Sequence, residues 1–259
     1  MNQPLAFIHP EAKIATNVVV EPFATISKNV SIDEGCWIGS NVVINEGARI
    51  GKNVRIHSGS VVSGIPQDLK FKGEESVVEI GDNTVIRECV TISRGTAASN
   101  RTSIGFNCLI MAYAHIAHDC LIGNHCILAN SVQLAGHVTI GDFAIVGGLS
   151  AVHQFAKVGC HAMISGGSLV RKDVPPYTLA GREPLSFCGI NSIGLRRRDF
   201  SNDQINEIQE IYRYLYLRGW NNSIAIDMIN IKLPNSPEKD IIMNFIRNSD
   251  RGIMKGYQS

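Results

Sequence analysis

Residues 114–155 read AHIAHDCLIGNHCILANSVQLAGHVTIGDFAIVGGLSAVHQF, and within them an aliphatic side chain returns at every sixth position: Ile116, Ile122, Leu128, Leu134, Ile140, Val146, Val152. Extended in both directions, the register runs from Ile8 to Val170. Of its 28 sixth positions 25 are Ile, Leu or Val, and the exceptions are Asp68, Glu74 and Ala98. A second track, four residues after each aliphatic, holds small or β-branched residues such as Cys108, Ala114, Cys120, Cys126, Val132 and Ala144. The second track precedes the next aliphatic by two residues, so both point to one face of a short strand. Gly often follows the aliphatic (Gly39, Gly51, Gly105, Gly123, Gly141, Gly159), commonly with Asn or Asp after it. This pair is expected to supply the turn and its positive φ. A period of six suits one strand and one turn, and fits the 3.6-residue helix badly. Stacked units of this kind make a parallel β-helix with an aliphatic interior.

Two stretches interrupt the repeat, residues 65–78 (IPQDLKFKGEESVV) and 94–103 (RGTAASNRTS). Both are expected to be loops projecting from the prism, where function commonly resides because loops can vary without disturbing a stacked core. After Val174-Pro175-Pro176 the repeat stops. Ser201 and Gln204 form a capping-box pattern opening a helix with Ile205, Ile208, Tyr212 and Leu215 on one face. A second helix is expected over 223–231, and Ser236-Pro237 opens a third. The chain thus divides into a solenoid over 1–190 and a helical domain over 191–259 that caps its open end. Aromatic residues follow the same division: 10 fall in residues 1–199 and 7 in the last 60. A prism interior of aliphatic and small side chains leaves little room for rings.

Composition narrows the function. Lys and Arg total 24 against 23 Asp and Glu, which disfavours bulk binding to nucleic acid. No stretch approaches the roughly 20 apolar residues of a membrane span, and MNQPLAFIHP is not a leader, so a soluble cytoplasmic protein is expected. The seven Cys show no zinc-type spacing, and reduced thiols are expected. Cys36, Cys108, Cys120 and Cys126 lie on the inward track and read as core.

None of the eight His lies on the inward tracks. In a coil of 18 residues, positions 118, 136 and 154 stack, as do 119, 137 and 155, and 117, 135 and 153. That places His118, Asp119, Gly136, His137, His153 and Gln154 on one corner of consecutive coils. A His beside a carboxylate suits general-base work, since the acid fixes the tautomer and stabilises the imidazolium. Gly136 could present its N–H to a developing oxyanion. A zinc site from His115, His118 and His137 is the competing reading. Arg196-Arg197-Arg198 forms a basic cluster where the two parts meet, suited to phosphate or an acidic partner.

The motifs AHIAHD, LAGH, VHQF, QDLKFKGE (67–74), DVPPY (173–177) and FCGINSIGLRRR (187–198) closely resemble those of the UDP-N-acetylglucosamine O-acyltransferases of lipid A biosynthesis, across essentially the whole chain. The resemblance implies a left-handed β-helix and a homotrimer with sites between subunits. It implies transfer of an (R)-3-hydroxyacyl group from acyl carrier protein to the glucosamine 3-hydroxyl of UDP-N-acetylglucosamine, with no metal and no cofactor beyond the carrier's phosphopantetheine thioester. By motif, His118 is the base, Asp119 orients it and the Gly136 N–H sits in the oxyanion hole. His115, His137, His153 and Gln154 would line the cleft, Asp68 and Lys70 would lie near the acyl group, and Asn191, Arg197 and Arg198 would contact nucleotide and phosphate. Gly166 would be a ruler that leaves room for a long chain. Ile193 and Pro184 depart from the pattern, standing where better-known members have Glu and some have His. Rival readings are the N-acyltransferase of the same pathway, whose uridine-binding domain has no counterpart before Ile8, a CoA-dependent hexapeptide acetyltransferase, and a non-catalytic scaffold like the γ-carbonic anhydrases.

Overall fold

The computed structural model describes residues 5–256. Successive strands, mostly two residues long, fall in turn into three parallel sheets of nine, eight and eleven strands. The last sheet turns antiparallel only at its C-terminal edge. The result is a three-sided left-handed parallel β-helix followed by helices. The coil holds 18 residues: Ile116 pairs with Leu134 and Leu134 with Val152. Two coils are longer. Val62 pairs with Ile92, 30 residues on, and Ile92 with Ile116, 24 on. The loops therefore add 12 and 6 residues, whole numbers of hexapeptides. This explains why the sixth-position register survives them and why its three exceptions, Asp68, Glu74 and Ala98, all lie in the loops. Each loop is shorter than expected, because Val77–Ile80 and Arg101–Ile104 are full strands that pair with each other from Val77 and Arg101 onward.

From Val18 onward and outside the loops both inward tracks are buried, with Ile26, Ile38, Ile56, Ile86, Ile110 and Leu134 fully enclosed. Burying each such side chain contributes about 1.5–3 kcal/mol. Cys36, Cys108, Cys120 and Cys126 are buried among them, and their thiols donate to carbonyls of Gly51, Gly123, Ala135 and Gly141. Burial pushes the Cys120 thiol up to about 12 and that of Cys36 to about 11, so neither is a nucleophile.

The turns correct the expectation about glycine. The Gly residues that follow the aliphatics do not have positive φ; the left-handed residue comes two positions later, as at Asn29, Asn53, Asp119, His125, His137, Phe143 and Phe155, with φ between 53° and 64°. Glycine is needed there for space instead. A Cβ on Gly141 would stand 2.5 Å from the Cys160 nitrogen, and one on Gly123 would stand 2.7 Å from the Asp142 nitrogen. Rings at left-handed positions stack along one corner, His125 on Phe143 at 4.6 Å, Phe143 on His161 at 4.8 Å and His161 on Tyr177 at 5.5 Å. Such stacking helps offset the cost, about 1–2 kcal/mol, of holding a bulky residue in this region.

At the C-terminal end Thr178–Gly181 pairs parallel with Met163–Ile164, and Ser186–Ile190 then runs antiparallel to it. Helices α1 (Ser192–Arg196), α2 (Asn202–Tyr216), α3 (Asn222–Lys232) and α4 (Pro237–Arg247) follow. The capping box at Ser201 is formed in full. The sequence pattern did not reveal α1, whose five residues are too few to show a period and include Gly194. The helices bury Ile205, Ile208, Tyr212, Leu215, Ile229 and Ile242 together, and the Tyr212 hydroxyl donates to the Pro176 carbonyl. Strand Lys255–Gly256 returns to pair with Ser186–Phe187, so this segment beyond the helices rejoins the solenoid sheet. Among the described residues no helix is long and apolar enough to cross a membrane.

Gly141→Ala should lower stability by about 1–3 kcal/mol by forcing adjacent coils apart, as read from the denaturation midpoint.

Candidate active site

The 18-residue repeat sets Gly136 directly over His118: the His137 N–H donates to the His118 carbonyl at 3.0 Å, and the Phe155 N–H to the Gly136 carbonyl at 3.1 Å. A Cβ on Gly136 would lie 2.5 Å from Cε1 of the His118 ring, so the ring occupies space that only glycine leaves free. His118 is buried, with Nδ1 2.8 Å from Asp119 Oδ2. Its Nε2 faces Asp68 of the first loop, 4.0 Å from Oδ2. His137 meets His118 edge to face, with centroids 5.1 Å apart, and its Nε2 lies 3.7 Å from Asp119 Oδ2.

Asp119 is also buried, at a left-handed position whose N–H donates to the Thr102 hydroxyl. Burial alone would raise its pKa, but the Ser99 hydroxyl, His118 and the N–H and hydroxyl of Thr96 hold it down to about 2. An ionised carboxylate only accepts hydrogen bonds, so His118 Nδ1 carries the proton toward it, and in the neutral imidazole the lone pair is on Nε2. His115 sits on the same face, its Nδ1 2.7 Å from the Thr91 hydroxyl, and burial followed by the nearby His118 lowers its pKa. Burial likewise lowers the pKa of His137.

His118, Asp119 and His137 each offer a ligand atom, all within 4.8 Å of one another. A metal there would use Asp119 and His137, not the trio with His115 weighed from the sequence. Asp119, however, already has four donors around its two oxygens.

The other expected site residues are dispersed. His153 is exposed two coils beyond His118, its Nδ1 near the Gln154 carbonyl, and Gln154 is half-buried beside it. Lys70 is exposed on the first loop, its N–H donating to Asp68. Asn191 caps α1 and donates to the His161 carbonyl. Arg198 donates to the Phe143 carbonyl and lies 5.2 Å above that ring, while Arg197 is an exposed C-cap. Gly166 is exposed where Met163–Ile164 passes to Leu169–Val170, and a Cβ there would stand 3.0 Å from the Gly148 carbonyl oxygen. The His118 group, the Arg198 group and Gly166 therefore lie on three different corners of one prism. Thr96, Ser99 and Thr102 were missed from sequence; the signal available was the break in the repeat at Ala98, which marked the loop of the first two.

A buried His–Asp pair beneath loops on a hexapeptide prism defines a hexapeptide-repeat transferase. Consistent with this, the bacterial transferase hexapeptide (six repeats) model matches residues 29–64 and 101–136, and the model for domain 2 of UDP-N-acetylglucosamine O-acyltransferase matches 173–254. A relative from Paracidovorax citrulli (strain AAC00-1), named acyl-(acyl-carrier-protein)-UDP-N-acetylglucosamine O-acyltransferase, is 46% identical over 199 residues, spanning 75% of this chain and 76% of its own. The UDP-N-acetylglucosamine acyltransferase structure from Bacteroides fragilis 9343 superposes with a TM-score of 0.97 at 52% identity, over 98% of this chain and 100% of that one. The Arabidopsis UDP-N-acetylglucosamine acyltransferase gives 0.85 at 33% identity, over 98% and 100%. The chain belongs to the UDP-N-acetylglucosamine O-acyltransferase family.

Gly136→Ala should leave the fold in place but displace the His118 ring, lowering kcat on the order of a hundredfold in a steady-state assay. Burial, and then the charge of Arg198, lowers His161 to about 4, against an opposing pull from Asp142. Unfolded His titrates near 6.5, so the unfolded chain binds more protons between these values. Stability is then full above pH ~6.5 and falls toward pH 4 by up to about 1.4 kcal/mol per unit. His161→Phe, which keeps the ring stack, should flatten that slope in denaturation curves taken across the range.

Proposed function

We propose that this chain transfers an (R)-3-hydroxyacyl group from acyl carrier protein to the glucosamine 3-hydroxyl of UDP-N-acetylglucosamine, the first step of lipid A biosynthesis, with His118 as general base. The observation that carries the mechanism is the His118–Asp119 pair at 2.8 Å, with Nε2 directed at the first loop. Nε2 takes the proton of the sugar hydroxyl, and the oxygen attacks the thioester carbonyl carbon. The resulting oxyanion accepts from the Gly136 N–H, which has no acceptor among the described residues. Collapse breaks the C–S bond, and the departing thiolate recovers the proton from the His118 imidazolium. No acyl-enzyme forms. The thioester is already activated, so the scheme uses no metal or cofactor.

Asp68 and Lys70 would border the acyl group, with His115, His137, His153 and Gln154 along the cleft. Asn191, Arg197 and Arg198 would hold nucleotide and phosphate, and the arginines would also steer the acidic carrier protein. These groups occupy separate corners of one prism, which supports a homotrimer in which neighbouring subunits complete each site. Exposed Tyr113, Leu149 and Phe155 on the coils favour such packing. Gly166 would leave room for a long acyl chain.

The test is incubation with UDP-N-acetylglucosamine and hydroxyacyl carrier proteins of graded length, with product mass as readout. O-acylated product is expected, longest chains preferred, with Gly166→Met shifting preference to shorter ones and His118→Ala removing nearly all turnover. Substantial residual turnover in His118→Ala would sink the general-base role.

A further inference from the structure

The second loop does more than close over the site. Its Thr96 donates to Asp119 twice, from the N–H to Oδ1 at 3.0 Å and from the hydroxyl to Oδ2 at 2.7 Å, and the Ser99 hydroxyl donates to Oδ1 as well. Together with His118 Nδ1 these make four donors on two oxygens, enough to fill the carboxylate's acceptor positions. Glu74 of the first loop ties the arrangement down by accepting the Ala97 N–H at 2.9 Å, between the two gripping residues. The first loop also carries Asp68, so the segment facing His118 Nε2 is held to the loop that grips Asp119.

We propose that Thr96 and Ser99 are positioning residues for the acyl transfer, acting through Asp119 to fix its orientation and hence the tautomer and ring angle of His118. The inference rests on the reading of His118 as base. Alternatives for the Asp119 oxygens are present: His137 Nε2 lies 3.7 Å from Oδ2, close enough to compete with His118 if the carboxylate turned. With both oxygens gripped from the loop, the short contact stays with His118. The hydroxyls touch neither substrate nor the reacting atoms in this scheme, so their effect belongs in turnover and not in substrate affinity.

The test compares Thr96→Val, Ser99→Ala and the double variant with the intact enzyme, in steady state with UDP-N-acetylglucosamine and a hydroxyacyl carrier protein. Each single variant should lower kcat on the order of tenfold with KM for the sugar nucleotide and the melting temperature unchanged. Thr96→Ser, which keeps the hydroxyl, should restore most of the rate. In an Asp119→Ala background the same substitutions should cost nothing further, since the group they act through is gone. Unchanged kcat in the double variant, or an equal loss with and without Asp119, would overturn the proposal. His118→Ala, run alongside, separates the two readings: if it retains turnover the base assignment fails, whereas an inactive His118→Ala with silent loop variants removes only the positioning role.

Discussion

The prism depends on one constraint: outside the two loop-bearing coils, each backbone position lies directly above the position 18 residues earlier, at the strand-pairing distance of about 4.8 Å. A side chain at a corner therefore cannot choose its neighbours independently. Where adjacent coils approach closest, even a Cβ is too much, and glycine appears. Two residues later the chain enters the left-handed region, at Asn, His, Phe and Asp residues alike. The inward small track follows, with Cys and Ser turning their weak donors to neighbouring carbonyls, as Ser150 does to Ser165.

The candidate site uses the same geometry. His118 lies in the gap left by Gly136, and Asp119 occupies a left-handed corner position that brings its carboxylate back beside His118 Nδ1. Neither requires a departure from the repeat. What the repeat does not supply is the hydroxyl and backbone donors around Asp119 or an acid near Nε2. The two loops supply them, and because they add whole hexapeptides they do so without shifting the core register.

Much of this was legible in the residues. The period of six implied strand and turn, the 18-residue stacking placed His118, Asp119, Gly136 and His137 on one corner, and the capping box at Ser201 marked the start of α2. Helix α1 and the returning strand Lys255–Gly256 were not legible, being too short for a period and made only through tertiary pairing. Glycine's role was misassigned, because φ and crowding leave the same residue in the sequence. The partners Thr96 and Ser99 were hidden because a loop has no periodicity from which to predict direction.

The sequence alone therefore determined the β-helix, its register, the membership of the corner holding His118 and the family the motifs resemble. These follow from patterns that repeat or are local along the chain. Tertiary structure alone decided which nitrogen of His118 faces Asp119, what keeps Asp119 ionised, and that Arg198, beyond the repeat, stands on another corner. Those facts depend on separations of a few ångströms between segments far apart in the chain, and a linear pattern carries no such distances.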